Sequence, residues 1–178
     1  MNIQHTYKSW LKMAFVSFLV LAILSACGFR MRGAIDLPYK YAMLTGTMSV
    51  DLRQGLTRAI EVGSNVKMTT NPKQADLTIN ILLEQPSQQI LTYNIQGQIT
   101  GYRLILKVIF NANDKDGNEI IPDSEVYMMR DMDFSITSPL AAELMTAELN
   151  ASMRADIIAQ ILRRIAATQK IKPVVQAQ

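Results

Sequence analysis

The fold is decided by residues 101–110, Gly101-Tyr102-Arg103-Leu104-Ile105-Leu106-Lys107-Val108-Ile109-Phe110. Apolar side chains recur there at every second position, which is the spacing of a β-strand with one buried face. The even-numbered positions predict the buried face, and the odd-numbered positions, among them Arg103 and Lys107, predict the other face. A strand with two unlike faces favours helices packed on one side of its sheet and a partner or solvent on the other.

A hairpin turn and a returning strand are expected next. Residues 113–118 include the pair Asp116-Gly117, which is a strong hairpin signal. A calcium loop is the alternative, but it requires Gly at the sixth position from its first Asp, and Gly117 comes fourth. The turn therefore leads into a strand over Glu119–Asp133, whose buried face is predicted to hold Val126, Met128, Met132 and Phe134.

Two strands and a helix are expected before the decisive stretch. Residues 41–44 are a short apolar run typical of a first strand, and residues 77–84 alternate as the central strand does. Between them, Ser49 can cap a helix, and Gly63 fits just past its end. The strand is predicted to bury Leu77, Ile79, Ile81 and Leu83, and the helix to bury Leu52, Leu56, Ala59 and Ile60.

A long polar hairpin is expected between the two alternating strands. Residues 85–101 are rich in Gln and Thr and contain Gly97, so they are predicted to extend both strands. Two interpretations of the apolar side chains in this hairpin stay open: they are exposed and mark a contact surface, or they pack on the sheet. These side chains are Ile90, Leu91, Tyr93, Ile95 and Ile99.

A second, longer helix is expected near the carboxyl end. Ser138 is predicted to cap it, and Pro139 to occupy its first position, where the missing N–H costs nothing. Beyond Pro173 the chain is polar and is expected to be disordered. The core-facing stripe of this helix is predicted to be Met145, Leu149, Met153, Ile157, Ile161 and Ile165.

The amino terminus has the pattern of a secretory signal. Lys8 and Lys12 precede an apolar run, and the small residues Ser25 and Ala26 follow it. The alternative is a membrane-spanning helix, which needs about 20 apolar residues. Residues 13–26 supply only 14 positions, so a cleaved leader is favoured.

The leader ends in Leu24-Ser25-Ala26-Cys27, which resembles the bacterial lipobox Leu-(Ala/Ser)-(Gly/Ala)-Cys. This resemblance implies cleavage before Cys27, followed by attachment of an S-diacylglycerol and an N-acyl group to that residue. Each buried methylene contributes about 0.8 kcal/mol, so several acyl chains together anchor a protein almost permanently. The next residue is Gly28 rather than Asp, which by the sorting rule of lipoproteins implies the outer membrane.

The composition excludes several classes of function. Without Lys8 and Lys12, the 18 basic residues become 16 against 15 acidic ones, so the net charge falls from +3 to +1. Nucleic-acid binders carry a clustered basic surface, so no nucleic-acid partner is expected. His5, Trp10 and Cys27 are the only residues of their types, which argues against disulfides and against a zinc site built on His or Cys.

No catalytic site is expected. A mature chain without His has no Ser-His-Asp or Cys-His arrangement, and the sequence has no Gly-rich phosphate loop. Asp131 and Asp133 could form a pair of catalytic carboxylates, but neighbours on one strand face more often lie in solvent or meet basic partners. The chain is therefore interpreted as a non-enzyme without a metal or cofactor, apart from the lipid on Cys27.

Four segments, in order along the mature chain, are similar to a single known family. They are the start Cys27–Gly33, the strand Gly101–Leu106, the pair Arg130-Asp131 and the helical residues 140–165. Together they resemble the lipopolysaccharide-assembly lipoproteins of the LptE family, and the resemblance covers essentially the whole mature chain.

The resemblance and the order of elements predict an α+β fold. Two helices are expected to pack on one face of a small, mostly antiparallel, mixed four-stranded sheet, after an N-terminal lipoprotein signal peptide. The expected boundaries are a signal peptide over 1–26, a lipidated N-terminus and tether over 27–40, one domain over 41–168 and a disordered tail over 169–178.

The resemblance also implies a function. Members of the family sit as a plug inside the LptD β-barrel and help the barrel to assemble. They also bind lipopolysaccharide, without catalysis, and help to deliver it to the outer leaflet. The alternative is a free, periplasm-facing lipoprotein that binds lipid or stabilises the envelope and has no barrel partner.

The lipopolysaccharide-binding residues that the resemblance implies depart from the family's pattern. Basic residues of the family align with Ile95 and Ala142, and neither is basic here. Arg103, Lys107 and Arg130 are expected to replace them, because a phosphorylated headgroup needs cations that pair with phosphate. The alternative is that these three are ordinary solvated charges.

Overall fold

The computed structural model describes residues 37–133 and 139–169 of the 178-residue chain. Five strands and two helices follow one another in these ranges. They are β1 (Tyr41–Gly46), α1 (Val50–Gly63), β2 (Lys67–Met68), β3 (Leu77–Tyr93), β4 (Ile99–Asp114), β5 (Glu119–Asp133) and α2 (Pro139–Gln169). The leader, Cys27, Phe134, Ser138 and the tail from residue 170 lie outside the described residues.

The strands form one mixed sheet in the order β2-β1-β3-β4-β5. β1 runs parallel to both β2 and β3, whereas β3, β4 and β5 pair antiparallel in succession. The α+β fold is therefore confirmed, with five strands where four were expected. The additional strand, β2, is only two residues long, which is too short to leave an alternating pattern in the sequence.

Helix α1 forms as its sequence predicts. The side chain of Ser49 accepts a hydrogen bond from the N–H of Leu52, and so satisfies a donor that the first turn leaves without a partner. The helix buries Leu52, Leu56 and Ile60 against the sheet. Gly63 is its last residue rather than the residue after its end, and the backbone N–H of Ser64 closes the helix on the carbonyl of Ile60.

Helix α2 is buried over only its second half. Met153, Ile157, Ile161 and Ile165 are fully buried, as the stripe predicts. The prediction of burial is wrong toward the amino end of the helix, where Met145 is 46% exposed and Leu149 is only partly buried. Two further apolar residues of this first half, Leu140 and Leu144, are 68% and 65% exposed, so the helix extends past the packed core.

A β-bulge corrects the prediction for β3. Leu77, Ile79 and Ile81 are buried as expected, but Leu83 is 36% exposed. The register with β4 shifts between Ile81 and Leu83, and a shift of one residue exchanges the two faces of a strand. Leu83 thus leaves the core face, and Glu84 takes that face opposite Val108.

The predicted turn and returning strand are confirmed. Gly117 adopts a φ of +81°, and the Asp114 carboxylate accepts hydrogen bonds from the N–H groups of Asp116 and Asn118. On β5, Val126 and Met132 are buried, and Met128 packs partly buried against the core.

The packed core includes a residue that precedes β1, because Leu37 is only 1% exposed.

Candidate functional site

Among the described residues, neither helix packs on the second face of the sheet. Cross-strand pairs share a face, so the register defines the surface that we call the open face. It mixes charged side chains with half-exposed apolar ones, such as Tyr127 at 55% and Met129 at 44%. Its members are Leu83, Gln85, Ser87 and Gln89 of β3, Arg103, Ile105, Lys107 and Ile109 of β4, and Glu125, Tyr127, Met129 and Asp131 of β5.

Two of the predicted ligand residues lie on this open face, and each has an acidic neighbour. Arg103 donates two hydrogen bonds to the carboxylate of Asp131, at 2.7 and 2.9 Å. These hydrogen bonds lower the pKa of Asp131 and raise the pKa of Arg103. Lys107 Nζ lies 3.9 Å from a carboxylate oxygen of Glu125. Asp131 therefore meets a basic partner, one of the two outcomes expected for a strand carboxylate.

The third predicted ligand residue lies elsewhere. Arg130 pairs across the ladder with Leu104, which is buried on the helix side of the sheet. Its guanidinium donates a 2.6 Å hydrogen bond to Asp156 of α2. The fold thus brings Arg103 and Lys107 together on one face and separates Arg130 from them.

The hairpin between β3 and β4 exposes its apolar side chains. Ile90, Leu91, Tyr93 and Ile95 are 48%, 39%, 60% and 97% exposed, whereas Ile99 is partly buried. Four of the five side chains are therefore exposed rather than packed on the sheet. The tip itself is ordered by hydrogen bonds between Asn94 and Gln98, and Gly97 adopts a φ of +75° there.

A groove of about 810 Å³ lies along the first half of α2 on the helix side of the sheet. Its lining is mixed, with Met132, Tyr102, Ala142 and Thr146 among the residues, and the hydroxyl of Thr146 lies 3.4 Å from Met132 Sδ. Ala142 and Ile95, which align with basic positions of the family, thus lie in the groove wall and at the exposed hairpin tip. Neither position supplies a cation.

A polar cluster at the start of α1 was missed by the sequence analysis. Glu84, whose side chain is 8% exposed, accepts hydrogen bonds from the N–H and hydroxyl of Ser49. Arg154 of α2 lies 3.3 Å from Asp51 and 4.0 Å from Glu84. The cluster links α1, α2 and β3. The sequence predicts only that Ser49 caps the helix. It does not predict the contact with Glu84, because that residue reaches Ser49 only through the bulge in β3.

Within the described ranges, no cluster of three or more His, Cys, Asp or Glu side chains has the geometry of a metal site. Asp133 lies exposed at the end of β5, and its cross-strand neighbour is Gly101. No helix in this part of the chain is long and apolar enough to cross a bilayer.

Solved structures show that this fold recurs in bacterial lipoproteins. The solution structure of an uncharacterized lipoprotein B from Nitrosomonas europaea matches 81% of this chain and 94% of its own, with a TM-score of 0.70 and 22% identity. A rare lipoprotein B from Shewanella oneidensis matches 74% and 97%, with a TM-score of 0.64 and 19% identity. A minor lipoprotein from Acinetobacter baumannii matches 75% and 95%, with a TM-score of 0.61 and 22% identity.

The fold and these likenesses define the class, an α+β domain with a five-stranded mixed sheet and two helices. The family model described as LptE, lipopolysaccharide-assembly, matches residues 34–165. The chain belongs to this family of lipopolysaccharide-assembly lipoproteins. A comparison with curated proteins found no match.

Proposed function

We propose that this chain is anchored in the outer membrane through lipid on Cys27 and sits as a plug in the LptD β-barrel. There it assists assembly of the barrel and helps deliver lipopolysaccharide to the outer leaflet, without catalysis. The observation that carries the proposal is the long hairpin, along which Ile90, Leu91, Tyr93 and Ile95 are all exposed. Several large apolar side chains exposed within one short segment are typical of a surface that a partner covers.

Cys27 is proposed to be the point of membrane attachment, with an S-diacylglycerol and an N-acyl group on it and no cofactor besides. The Leu24–Cys27 lipobox supports this. Mass spectrometry of the N-terminal peptide from native membranes tests it. The expected result is a chain that begins at an acylated Cys27, and an unmodified sulfur there would contradict it.

Lipopolysaccharide is proposed to bind the open face at Arg103 and Lys107. Both cations pair with partly exposed carboxylates, and exposed ion pairs contribute only about 0–1 kcal/mol. A glycolipid phosphate, which offers stronger and multiple acceptor oxygens, can therefore replace those carboxylates. The neighbouring apolar residues Ile105 and Met129 offer a surface for acyl chains.

A binding assay with charge-matched variants tests this site. We expect Arg103→Ala combined with Lys107→Ala to weaken lipopolysaccharide binding. The matched control removes two exposed cations from α1, as Arg53→Ala with Arg58→Ala, and should bind as the wild type does. Equal binding by both double variants would remove the open face from consideration. Arg130→Ala, measured separately, tests the cation on the helix side.

The alternative is that the chain acts as a free lipoprotein without a barrel partner. In that case a lipid, rather than a protein, covers the same exposed surfaces. Co-purification separates the two functions. After detergent extraction, a plug stays with one large barrel protein in a fixed ratio. Recovery of the chain without a barrel protein would contradict the plug.

A further inference from the structure

Within the part of the chain that the structure describes, strand β3 has a free edge over most of its length. β1 pairs with β3 only up to Ile81, where the N–H of Thr47 makes the last hydrogen bond. From Leu83 to Tyr93, β4 is the sole ladder neighbour of β3 among the described residues. This part is more than half of the 17-residue strand. At about 3.3 Å per residue, a row of outward-facing backbone N–H and C=O groups roughly 35 Å long is left without strand partners.

The two edges of this part of the sheet differ in how they are protected. Natural sheets guard exposed edges with charges, prolines and bulges. The outer edge strand, β5, follows that rule, with Pro122 and with the charged residues Glu119, Asp123, Glu125, Arg130, Asp131 and Asp133. The free edge of β3 follows that rule only through Pro86 and its register shifts. It lacks the protection by charge, because no charged residue occurs between Glu84 and Arg103 and every residue from 85 to 93 is exposed.

We propose that the β3 edge from Leu83 to Tyr93 binds an extended, uncharged segment of the barrel partner as an additional antiparallel or parallel strand. This inference rests on the proposed function and names the element through which the partner is held. Strand addition satisfies the row of backbone groups, and side chains on alternate positions then set specificity. An uncharged segment fits because the edge offers Gln, Ser and Thr side chains but no counter-charge.

A second copy of this chain fits the same edge poorly. An antiparallel dimer about a two-fold axis would bring both copies of every irregularity into one ladder. Pro86 lacks an N–H, and the register of β3 also shifts between Ile90 and Thr92. Two prolines and two bulges would then interrupt the ladder, whereas a partner segment meets each of them once.

Hydrogen exchange on the full-length chain, free in detergent and bound to the barrel, tests the inference. Peptides covering 85–93 are expected to exchange about tenfold or more slowly in the complex, because strand pairing protects amides. Peptides of the charged β5 edge are the matched control and should be unchanged. Unchanged exchange at 85–93 in an intact complex, equal slowing along β5, or a dimer of the chain paired through β3 would each overturn the inference. Failure to form any complex would instead overturn the proposed function.

Substitution separates strand pairing from simple burial. Adjacent strand residues direct their N–H groups to opposite edges of the strand. Of the two variants Ser87→Pro and Gln88→Pro, one therefore removes an N–H that points to the free edge, and the other removes an N–H that bonds to β4. The variant that keeps the fold, judged by circular dichroism, should bind the barrel about tenfold more weakly. Ser87→Ala and Gln88→Ala are the controls and should bind normally. Wild-type binding by the folded proline variant would overturn the inference.

Discussion

Gly46 is the residue at which the backbone most clearly requires glycine. Its φ is +90°, and an added Cβ would meet the backbone carbonyl of Ile81. The left-handed region alone costs an L-residue about 1–2 kcal/mol, and the contact with backbone adds to that. We therefore expect Gly46→Ala to lower the free energy of unfolding by at least this amount.

Urea denaturation of the wild type and the variant measures the effect. Gly63→Ala is the matched control, because its added Cβ has open space and lies in a helix, where Ala is favoured over Gly. Its midpoint should be equal or higher. Equal midpoints for Gly46→Ala and the wild type would contradict the turn geometry at the end of β1.

Asp131 is expected to show a pH-dependent contribution to stability. Its hydrogen bonds with Arg103 hold the pKa below the ordinary value of 3.8, so the folded state binds its proton less readily than the unfolded state does. The ion pair therefore stabilises the fold above this value, and the contribution is lost as the pH falls through the lower, folded pKa. NMR titration of the Asp131 carboxyl should give a midpoint below 3.8, and Arg103→Ala should raise it.

At the scale of elements, the two halves of α2 are expected to respond differently to substitution. Ile157 is fully buried, so Ile157→Ala should cost about 2–5 kcal/mol of unfolding free energy. Leu144 is 65% exposed, and Leu144→Ala should change the free energy by no more than about 0.5 kcal/mol. Thermal or urea unfolding of both variants measures this. A large loss for Leu144→Ala would mean that the first half of α2 is packed in the free chain.

Much of the architecture could be predicted from the spacing of apolar residues. Every strand with an alternating pattern and both helices lie where their patterns indicate. The spacing of apolar residues indicates that a helix has an apolar stripe. It does not indicate whether the protein's own core or a partner covers that stripe. This is why Met145 was predicted to be buried and is exposed.

The candidate site could be predicted less well, because it depends on register. The bulge after Ile81 turns Leu83 outward and brings Glu84 to Ser49, and nothing in the alternation marks that shift. Arg130 was grouped with Arg103 by charge and chain order, yet the ladder assigns the two to opposite faces. Residue type shows which side chains are cations, but only the sheet shows which of them share a face.

At the scale of the whole molecule, processing of the leader has a simple optical consequence. Trp10 is the only Trp in the chain, so a protein cleaved before Cys27 should show Tyr fluorescence without indole emission. Cys27→Ala removes the group on which lipobox processing depends, and this variant should retain its leader and its indole emission. Loss of indole emission in both proteins would indicate an ordinary secretory signal instead.

The central claim is that the chain serves the assembly of lipopolysaccharide in the outer membrane, and depletion tests it most directly. Cells depleted of the chain should lose newly made lipopolysaccharide from the outer leaflet, as read by surface labelling, and a plasmid copy of the wild type should restore it. A Cys27→Ala copy should restore it poorly, because the chain would lack its anchor. Undiminished surface lipopolysaccharide after depletion would contradict the account.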